Sequence, residues 1–540
     1  MTRIETIPVS ALPGMPRLFV DFQEHFERVR SFYSDCSSGV ELISGCVEQV
    51  LQQSYRREEL AAALERQNRR WEAPPEVGDS IRRLRDPRSV AVVTGQQIGI
   101  GGGPALALYK TVTALQATAR LLGEGIPAVA VFWMASEDHD FEEIRQIDFP
   151  DPAGQPVAIR YGGEAGPGGS VGRLAVEEAG IAEIVQTLRR LWPDAQEILQ
   201  LFEDSYRAGQ SLADGFARFW LGLFGRHGLV VIDPAGAEVK PLQVDLFRKV
   251  LQQRRQVQSA MGRRNDELRA ARYPLQVSLT EGHTLLLVTH EDRRLALLAE
   301  GDGFRLGDSQ LRWTEQQAFE MLDSQPGRFS ANVLLRPLLQ DSIFPTATYI
   351  GGPAEIAYYA QLQPLFPLFG AREAIIRPRL SLTVVDTRAQ RLLERFQVTL
   401  QNLFEPGEDL VENALRSDAS GTTLAEFDAV ERMIADRLEG LGKVLEQTDP
   451  TLGEALRTSE SKMRYQLERV RAKYIKSAEQ RNATVGDQIR YLRNVLAPDG
   501  RLQERTIHSL YFLCRLGQPW LDQLIGEANS DSRAHQALYL

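Results

Sequence analysis

The first part of the chain carries apolar residues at helical spacing. Phe22, Phe26, Val29 and Phe32 recur at intervals of four and three residues, which places them on one face of a helix. The Asp86-Pro87 pair then interrupts the pattern. The sequence therefore predicts an N-terminal helical segment that packs its apolar face on a core.

Short, uninterrupted apolar runs follow this segment. Ser89–Val93 (SVAVV) and Pro127–Met134 (PAVAVFWM) read as buried strands. Between them lie a glycine-dense loop, Thr94–Pro104, and a helical stretch, Ala105–Leu122. Strand, loop, helix and strand in this order form a βαβ unit, which requires a parallel sheet and a right-handed crossover. The prediction is an α/β fold whose ligands bind beyond the carboxyl ends of the strands.

Two stretches between the other predicted core strands read as insertions. Core strands are expected at Gly228–Asp233 and Thr346–Gly352. Residues near 150–190 are rich in glycine and proline and then become helical. Residues near 273–313 alternate apolar and polar positions in short runs, which is typical of a small antiparallel sheet.

The pattern changes again after residue 387. Phe427, Ile434 and Leu441 are seven residues apart, and a similar stripe resumes at Met463 after Asp449-Pro450. Two heptad stretches joined at a proline turn predict an antiparallel helical hairpin. Residues 485–540 read as helix, turn and helix. The expected organisation is an N-terminal helical segment (1–86), a core with two insertions (87–386), a helical coiled-coil domain (387–490) and C-terminal helices (491–540).

Composition narrows the class of protein. The 540 residues are 43% hydrophobic and 25% charged, as in globular proteins, and the net charge of −10 argues against a nucleic-acid binder. The three cysteines, Cys36, Cys46 and Cys514, form no CxxC pair, which argues against a disulfide framework or zinc knuckle. Without a secretory signal or a membrane-length apolar run, we expect a cytoplasmic protein.

The glycine-dense loop TGQQIGIGGGP is the first candidate binding element. Glycines allow backbone amides to approach an anion above a helix N-terminus, although neither a Walker loop nor a GxGxxG fingerprint is present. The alternative is a flexible strand-to-helix connection. The candidate substrate-binding residues of the loop are Thr94, Gly95, Gln96, Gln97, Gly103 and Pro104.

The second candidate is the acidic segment after the strand PAVAVFWM. Glu137, Asp138, His139 and Asp140 place four ionisable groups beside a very apolar stretch. Such groups at a strand end can act as general bases, ammonium binders or metal ligands. The alternative is a solvated loop in which one aspartate caps the next helix. We predict catalytic roles for all four residues.

The third candidate is the segment PTATYIGGPAEIAYYAQL. Gly351, Gly352 and Pro353 repeat the order of strand, glycine turn and helix, and Glu355 falls in the first helical turn, where it favours an amine or the helix dipole. A packing turn with core aromatic residues is the alternative. Gly351, Gly352 and Glu355 are predicted to bind substrate.

Basic positions near the predicted sheet form the fourth candidate. Arginines there can clamp a phosphate or carboxylate in a bidentate way, although surface charge is the alternative for each of them. Arg336 is predicted to bind substrate, whereas a nucleotide is assigned to Arg377, Arg379, Gln503 and Arg505.

These motifs together resemble the bacillithiol synthase family, the cysteine ligases of bacillithiol biosynthesis. The resemblance rests on VVTGQQIGIGGGPALALYK, FWMASEDHDFEEI, NVLLRPLLQD, FPTATYIGGPAEIAYY and LQERTIHSLYFL, which occur in this order from about residue 88 to 515. Where related nucleotide-activating enzymes carry His-x-Gly-His, this chain has Gly95-Gln96-Gln97 and no histidine.

The resemblance implies a Rossmann-like core with connecting-peptide insertions and a coiled-coil domain that supports a homodimer. It implies ligation of cysteine to the amine of glucosaminyl malate, the last step of bacillithiol biosynthesis, with an ATP- or ADP-type nucleotide bound. No metal is assigned. A non-catalytic nucleotide-binding scaffold and a nucleotidyltransferase acting on another sugar remain as alternatives.

Overall fold

The computed structural model describes residues 3–34, 43–162, 169–404, 409–416, 421–449, 452–481 and 483–540. Cys36 and the predicted turn residue Pro450 lie outside these ranges. In the described part of the chain the strands are β1 (Arg3–Ile7), β2 (Val90–Gln96), β3 (Ala128–Met134), β4 (Gln146–Pro150), β5 (Pro156–Arg160), β6 (Val230–Ile232), β7 (His283–His290), β8 (Arg293–Glu300), β9 (Gly303–Leu306), β10 (Arg312–Trp313), β11 (Phe329–Ala331), β12 (Thr346–Gly351), β13 (Ile375–Pro378), β14 (Leu382–Val385) and β15 (His535–Tyr539).

The helices surround and extend these strands. In chain order they are α1 (Arg17–Glu24), α2 (Ile43–Leu51), α3 (Arg57–Arg70), α4 (Pro75–Arg83), α5 (Leu106–Gly123), α6 (Phe141–Ile144), α7 (Glu178–Leu191), α8 (Gln196–Ser205), α9 (Leu212–Phe224), α10 (Lys240–Gln252), α11 (Arg254–Ala270), α12 (Glu315–Ser324), α13 (Arg336–Ile343), α14 (Pro353–Leu362), α15 (Leu365–Leu368), α16 (Thr387–Phe396), α17 (Asp409–Arg416), α18 (Gly421–Thr448), α19 (Leu452–Arg481), α20 (Ala483–Leu496), α21 (Gln503–Thr506) and α22 (Ser509–Glu527).

A five-stranded parallel sheet forms the centre of the molecule, in the order β13-β12-β2-β3-β6. Every residue of β3 is buried, as expected of a strand covered on both faces. The chain runs from β2 to β3 on one side and later returns to β12 on the other side of β2. The strand order therefore reverses between β2 and β12, and a crevice forms outside the carboxyl ends of these two strands. The predicted α/β fold is confirmed.

A separate five-stranded sheet, β10-β9-β8-β7-β11, is antiparallel and lies beside the core. Its alternating pattern was visible in residues 273–313, and the prediction of an antiparallel sheet there is confirmed. The sheet also includes β11, which comes from beyond that range and pairs with β7.

A third sheet joins the two ends of the chain in the order β1-β15-β14. The prediction that residues 491–540 contain only helices is wrong, because His535–Tyr539 form a buried strand. Its parallel partner β14 and its antiparallel partner β1 are both distant in sequence. His535 is held by the hydroxyl groups of Ser381 and Thr383, 2.8 and 2.9 Å from its two ring nitrogens. Long-range pairing thus stabilises a strand whose local pattern is uninformative.

The helices α16 to α20 build a second apolar cluster apart from the main core. Helices α18 and α19 pair in opposite directions, because Phe427 stacks near Tyr474 at 5.9 Å and Glu431 lies 3.5 Å from Arg464. The predicted antiparallel hairpin is confirmed. No helix of the described ranges is both long and apolar enough to cross a bilayer.

Candidate active site

A cavity of about 300 Å³ occupies the crevice at the carboxyl ends of β2 and β12. It brings together residues from every candidate segment of the sequence. Its lining consists of Gly95, Gln96, Gln97, Leu106, Lys110, Trp133, Ala135, Asp138, Val333, Arg336, Gly352, Pro353, Ala354, Glu355, Tyr358, Arg379 and Arg505. We call this space the switch-point cavity.

Gly95, Gln96 and Gln97, at the carboxyl end of β2, form one wall of the switch-point cavity. A side chain at Gly95 would bring its Cβ within 2.7 Å of the Trp133 carbonyl oxygen, so only glycine lets β2 approach β3 here. The carbonyl of Gly95 and the side chain of Gln96 accept hydrogen bonds from Lys110 Nζ, at 2.7 and 3.0 Å. Gln97 Nε2 donates to Asp138 Oδ2 at 2.7 Å. Gln96 and Gln97 therefore position two charged side chains of the cavity, those of Lys110 and Asp138.

The glycines that follow are packed inside the protein and do not line the switch-point cavity. Gly101 and Gly102 have φ angles of +69° and +101°, and a Cβ there would lie 2.5 Å from Leu510 and 2.6 Å from Trp220. The amide of Gly101 donates to the Tyr206 hydroxyl at 3.0 Å. These glycines permit close packing of the loop on α9 and α22, a role that neither the ligand-binding prediction nor the alternative of a flexible connection described.

Three predicted loop residues therefore need correction. Gly103 accepts a hydrogen bond from the Ser509 amide at 2.8 Å, and Pro104 pairs with His508. Thr94 is buried and donates to the Ile350 carbonyl at 3.0 Å. Each contacts protein and lies outside the cavity lining, because the start of α22 covers Gly103 and Pro104 and β12 covers Thr94.

The four residues of the acidic segment have different surroundings. Asp138 lines the switch-point cavity, with one carboxylate oxygen bonded to Gln97 and the other accepting from the His139 amide at 2.7 Å. Glu137 forms a 2.6 Å ion pair with the buried Lys240. Asp140 caps α6 by accepting from the Glu143 amide at 2.9 Å, as the capping alternative predicted. The structure brings only Asp138 of this segment into the cavity.

His139 is one of the four residues of the segment predicted to be catalytic. Its side chain is 66% exposed, with Nδ1 3.4 Å from Asp138 Oδ1, and it is not among the residues that line the switch-point cavity. A general base must reach the proton that it removes. Asp138 meets this requirement for a ligand in the cavity.

A buried ion cluster forms the floor of the switch-point cavity. Glu355 pairs with Lys110, and its Oε1 lies 3.3 Å from Arg336 Nη2. Its Oε2 accepts the Gly352 amide at 2.8 Å, so the glutamate caps its own helix. Burial alone would raise the pKa of Glu355, but Lys110 and Arg336 hold this pKa below its ordinary value. Burial lowers the pKa of Lys110 despite this pairing.

The aromatic side chains of α14 and β12 complete this cluster. Arg336 donates to the Tyr349 hydroxyl at 2.9 Å and also contacts the Tyr358 hydroxyl. Tyr349 in turn donates to Glu355 at 2.5 Å. Gly351 contributes its carbonyl to the Arg379 amide at 2.9 Å instead of lining the cavity. Glu355, Tyr349 and Tyr358 thus hold the Arg336 guanidinium in place beside the cavity.

The residues predicted to bind a nucleotide fall into two groups. Arg379 and Arg505 line the switch-point cavity, whereas Arg377 pairs with Asp531. Gln503 is buried and bonds the backbone of Val384 at 2.8 and 2.9 Å. Arg377 and Gln503 therefore hold the fold together, and neither of them lines the cavity.

Two of the three arginines that line the cavity, Arg379 and Arg505, have unused donors. Arg379 donates to Glu504 at 2.7 Å and to the Leu380 carbonyl at 2.8 Å, but its buried Nε has no hydrogen-bond partner among the described residues. The side chain of Arg505 makes no hydrogen bond or ion pair to any described residue. A buried donor without a partner, such as Arg379 Nε, is costly, and the exposed side chain of Arg505 keeps its donors accessible, so both arginines are suited to an anionic ligand such as a phosphate or carboxylate.

Charge distinguishes the switch-point cavity from the rest of the chain. Four basic side chains, those of Lys110, Arg336, Arg379 and Arg505, line it with only two acidic ones, although the net charge of the chain is −10. Local positive charge of this kind concentrates anionic ligands. Within the described ranges, no group of three or more His, Cys, Asp or Glu side chains could hold a metal ion.

Lys110 is the site residue that sequence reasoning missed. The segment LALYKTV places a lysine among apolar residues of a helix, and the side chain is 3% exposed. Buried lysines are rare unless they are paired. A lysine inside an apolar helical stretch, just after a glycine loop, was therefore the available signal.

The chain matches two family models along nearly its whole length. Residues 2–380 match the N-terminal Rossmann-like domain of bacillithiol biosynthesis BshC, and residues 382–540 match its C-terminal coiled-coil domain. Curated relatives carry the name "Putative cysteine ligase BshC", and three of them illustrate the similarity. That of Koribacter versatilis is 31% identical over 97% of this chain and 98% of its own length. Those of Salinibacter ruber and Solibacter usitatus are 32% and 33% identical, covering 98% and 94% of this chain and 97% and 94% of their own lengths.

Proposed function

Because the chain belongs to the BshC family of bacillithiol biosynthesis proteins, we propose that it joins cysteine to the amine of glucosaminyl malate. The product is bacillithiol, so the reaction is the last step of its synthesis. The observation that carries this proposal is the excess of basic side chains around the switch-point cavity, at the position where α/β sheets bind ligands.

The reaction requires an activated carboxyl group. An amide does not form spontaneously from a carboxylate and an amine in water, so the cysteine carboxylate must first become a mixed anhydride, either an acyl phosphate or an acyl adenylate, from which phosphate or AMP leaves when the amine attacks. We propose that a nucleotide supplies this group and that Arg379 and Arg505 hold its phosphates. The unpartnered Nε of Arg379 and the free guanidinium of Arg505 support this assignment.

The attacking amine must lose a proton. We assign this step to Asp138, which faces the switch-point cavity and is oriented by Gln97 at 2.7 Å. The carboxylate oxygen that Gln97 does not bind accepts only the His139 amide within the described residues, and a carboxylate oxygen can accept more than one hydrogen bond. The ion cluster of Lys110, Arg336 and Glu355 forms the charged and rigid floor of the cavity.

Thiol analysis in cells tests this proposal. A bacillithiol-producing strain that lacks its own relative should accumulate glucosaminyl malate, and this chain should restore bacillithiol. Arg505→Ala should fail to restore it, whereas Arg501→Ala should succeed, because Arg501 is exposed on the same segment but does not line the cavity. Failure of the wild-type chain to restore the thiol, when expressed and folded, would favour the scaffold or nucleotidyltransferase alternative.

A further inference from the structure

A second cavity, of about 440 Å³, lies at the carboxyl ends of β3 and β6, between the core and the antiparallel sheet. Its lining shares no residue with the switch-point cavity. It consists of Glu137, Gly169, Ser170, Arg173, Leu174, Ala235, Thr289, Glu291, Asp292, Arg293, Arg294, Gly327 and Ser330. We call it the sheet-side cavity.

The two cavities are separated by the segment that follows β3. Glu137 lines the sheet-side cavity and its neighbour Asp138 lines the switch-point cavity. The amides of Val171 and Gly172 donate to the carbonyls of Asp138 and Ser136 at 2.8 and 2.9 Å. Because these bonds fix the segment, consecutive carboxylates are presented to two different ligand spaces.

One acidic group of the sheet-side cavity is held firmly. Lys240 Nζ lies 2.6 Å from Glu137 Oε1 and 2.7 Å from the Phe329 carbonyl. Lys240 is 2% exposed, whereas the Glu137 side chain keeps 19% of its surface open. The lysine thus fixes one carboxylate oxygen, and Glu137 still borders the cavity.

Three guanidinium groups face the same space. Arg294 is anchored by bonds of 2.8 Å from Nε to the Ser330 hydroxyl and from Nη2 to the Ala331 carbonyl. Arg173 and Arg293 are exposed and form no side-chain hydrogen bond or ion pair with any described residue. The oriented guanidinium of Arg294 and the exposed guanidiniums of Arg173 and Arg293 can donate hydrogen bonds to carboxylate oxygens.

We propose that the sheet-side cavity binds a small molecule that carries both a carboxylate and an amine, with the carboxylate on the arginines and the ammonium near Glu137. The inference rests on the proposed ligase function, in which both reactants are of this chemical class.

Calorimetric titration of the full chain tests the inference without turnover. The probes are L-cysteine under reducing conditions and glucosaminyl malate, with L-malate and glucosamine as fragments that carry only one of the two charges. We expect one of the two complete reactants to bind more tightly than either fragment. Arg173→Ala or Arg293→Ala should weaken its binding about tenfold, as expected for loss of one charge-assisted hydrogen bond.

Two controls locate the effect. Arg312→Ala alters an exposed arginine of the same antiparallel sheet that does not line the cavity, and Arg505→Ala alters the switch-point cavity; both should leave the affinity for this probe unchanged. The inference is overturned if no complete reactant binds, or if both cavity variants bind each probe as the wild type does. Arginine-dependent binding without product formation would instead contradict the ligase function and leave the sheet-side site intact.

Discussion

Replacement of Lys110 by methionine tests the buried ion cluster of the switch-point cavity. The substitution removes the ion pair with Glu355 and the hydrogen bonds to Gly95 and Gln96, while it keeps most of the side-chain volume. Removing one partner of a buried pair costs about 3–5 kcal/mol. Because Glu355 retains Arg336, Tyr349 and the Gly352 amide, we expect about 3 kcal/mol, the lower end of that range.

The opposite substitution should cost more. Glu355→Gln leaves two buried cations, Lys110 and Arg336, without their shared anion, so we expect about 5 kcal/mol, the upper end. The double variant should be less destabilised than the sum of the two changes, since both remove the same pair, with a coupling of about 2 kcal/mol.

Urea unfolding followed by tryptophan fluorescence measures these differences. The six tryptophans, Trp71, Trp133, Trp192, Trp220, Trp313 and Trp520, all lie outside residues 387–490, so their emission does not report the helical hairpin directly. Lys249→Met is the matched control, because Lys249 is exposed on α10, outside the hairpin, and its side chain forms no hydrogen bond or ion pair with a described residue, so its replacement should change stability little. If Lys110→Met lost no more stability than Lys249→Met, the ion cluster would not support the cavity as we describe.

Three further predictions follow from other parts of the structure. Asp138→Asn should lower the ligation rate at least ~100-fold in a steady-state assay, as expected for loss of a general base. His139→Ala should keep a rate within about threefold of wild type, because its ring does not line the cavity. Equal losses of rate in the two variants would contradict the assignment of Asp138 as the base. Burial raises the pKa values of both Asp341 and Glu373 to about 8, so the folded protein binds protons that the unfolded chain releases above pH ~4. Melting temperature should therefore fall between about pH 7 and 8.5, and Asp341→Asn should make this fall shallower; an unchanged slope would exclude Asp341 as one of its sources. Helices α18 and α19 expose Met433, Val444 and other apolar side chains, and we propose that these side chains form the interface of a homodimer. Light scattering should show a dimer that is lost on deletion of residues 420–480. A monomeric intact protein would contradict this proposal.

The core strands β2, β3, β6 and β12 and much of the switch-point cavity were predictable from local sequence. Short apolar runs between turn residues, such as PAVAVFWM, indicate buried strands, and the carboxyl ends of neighbouring parallel strands meet at one edge of the sheet. Gln97, Asp138 and Glu355 were therefore identified before their contacts were known, and the structure places all three around one cavity.

Other features depended on partners that are distant in sequence. The glycines Gly101 and Gly102 looked suited to a ligand, but α22 and Trp220 occupy the space above them. The strand β15 is stabilised by β14 and β1, and Gln503 bonds the backbone of β14. In each case, long-range packing determined the outcome, and no local pattern encodes it.

We propose that the protein ligates cysteine to glucosaminyl malate in the switch-point cavity and consumes a nucleotide in the reaction. Mass spectrometry of a reaction that contains purified chain, cysteine, glucosaminyl malate and ATP tests it most directly. We predict that bacillithiol forms with equimolar ATP cleavage, that Arg501→Ala retains this activity and that Arg505→Ala loses at least ~90% of it, as expected for an arginine that holds the transferred phosphate. Absence of product with the folded wild-type chain, or full activity of Arg505→Ala, would contradict the account.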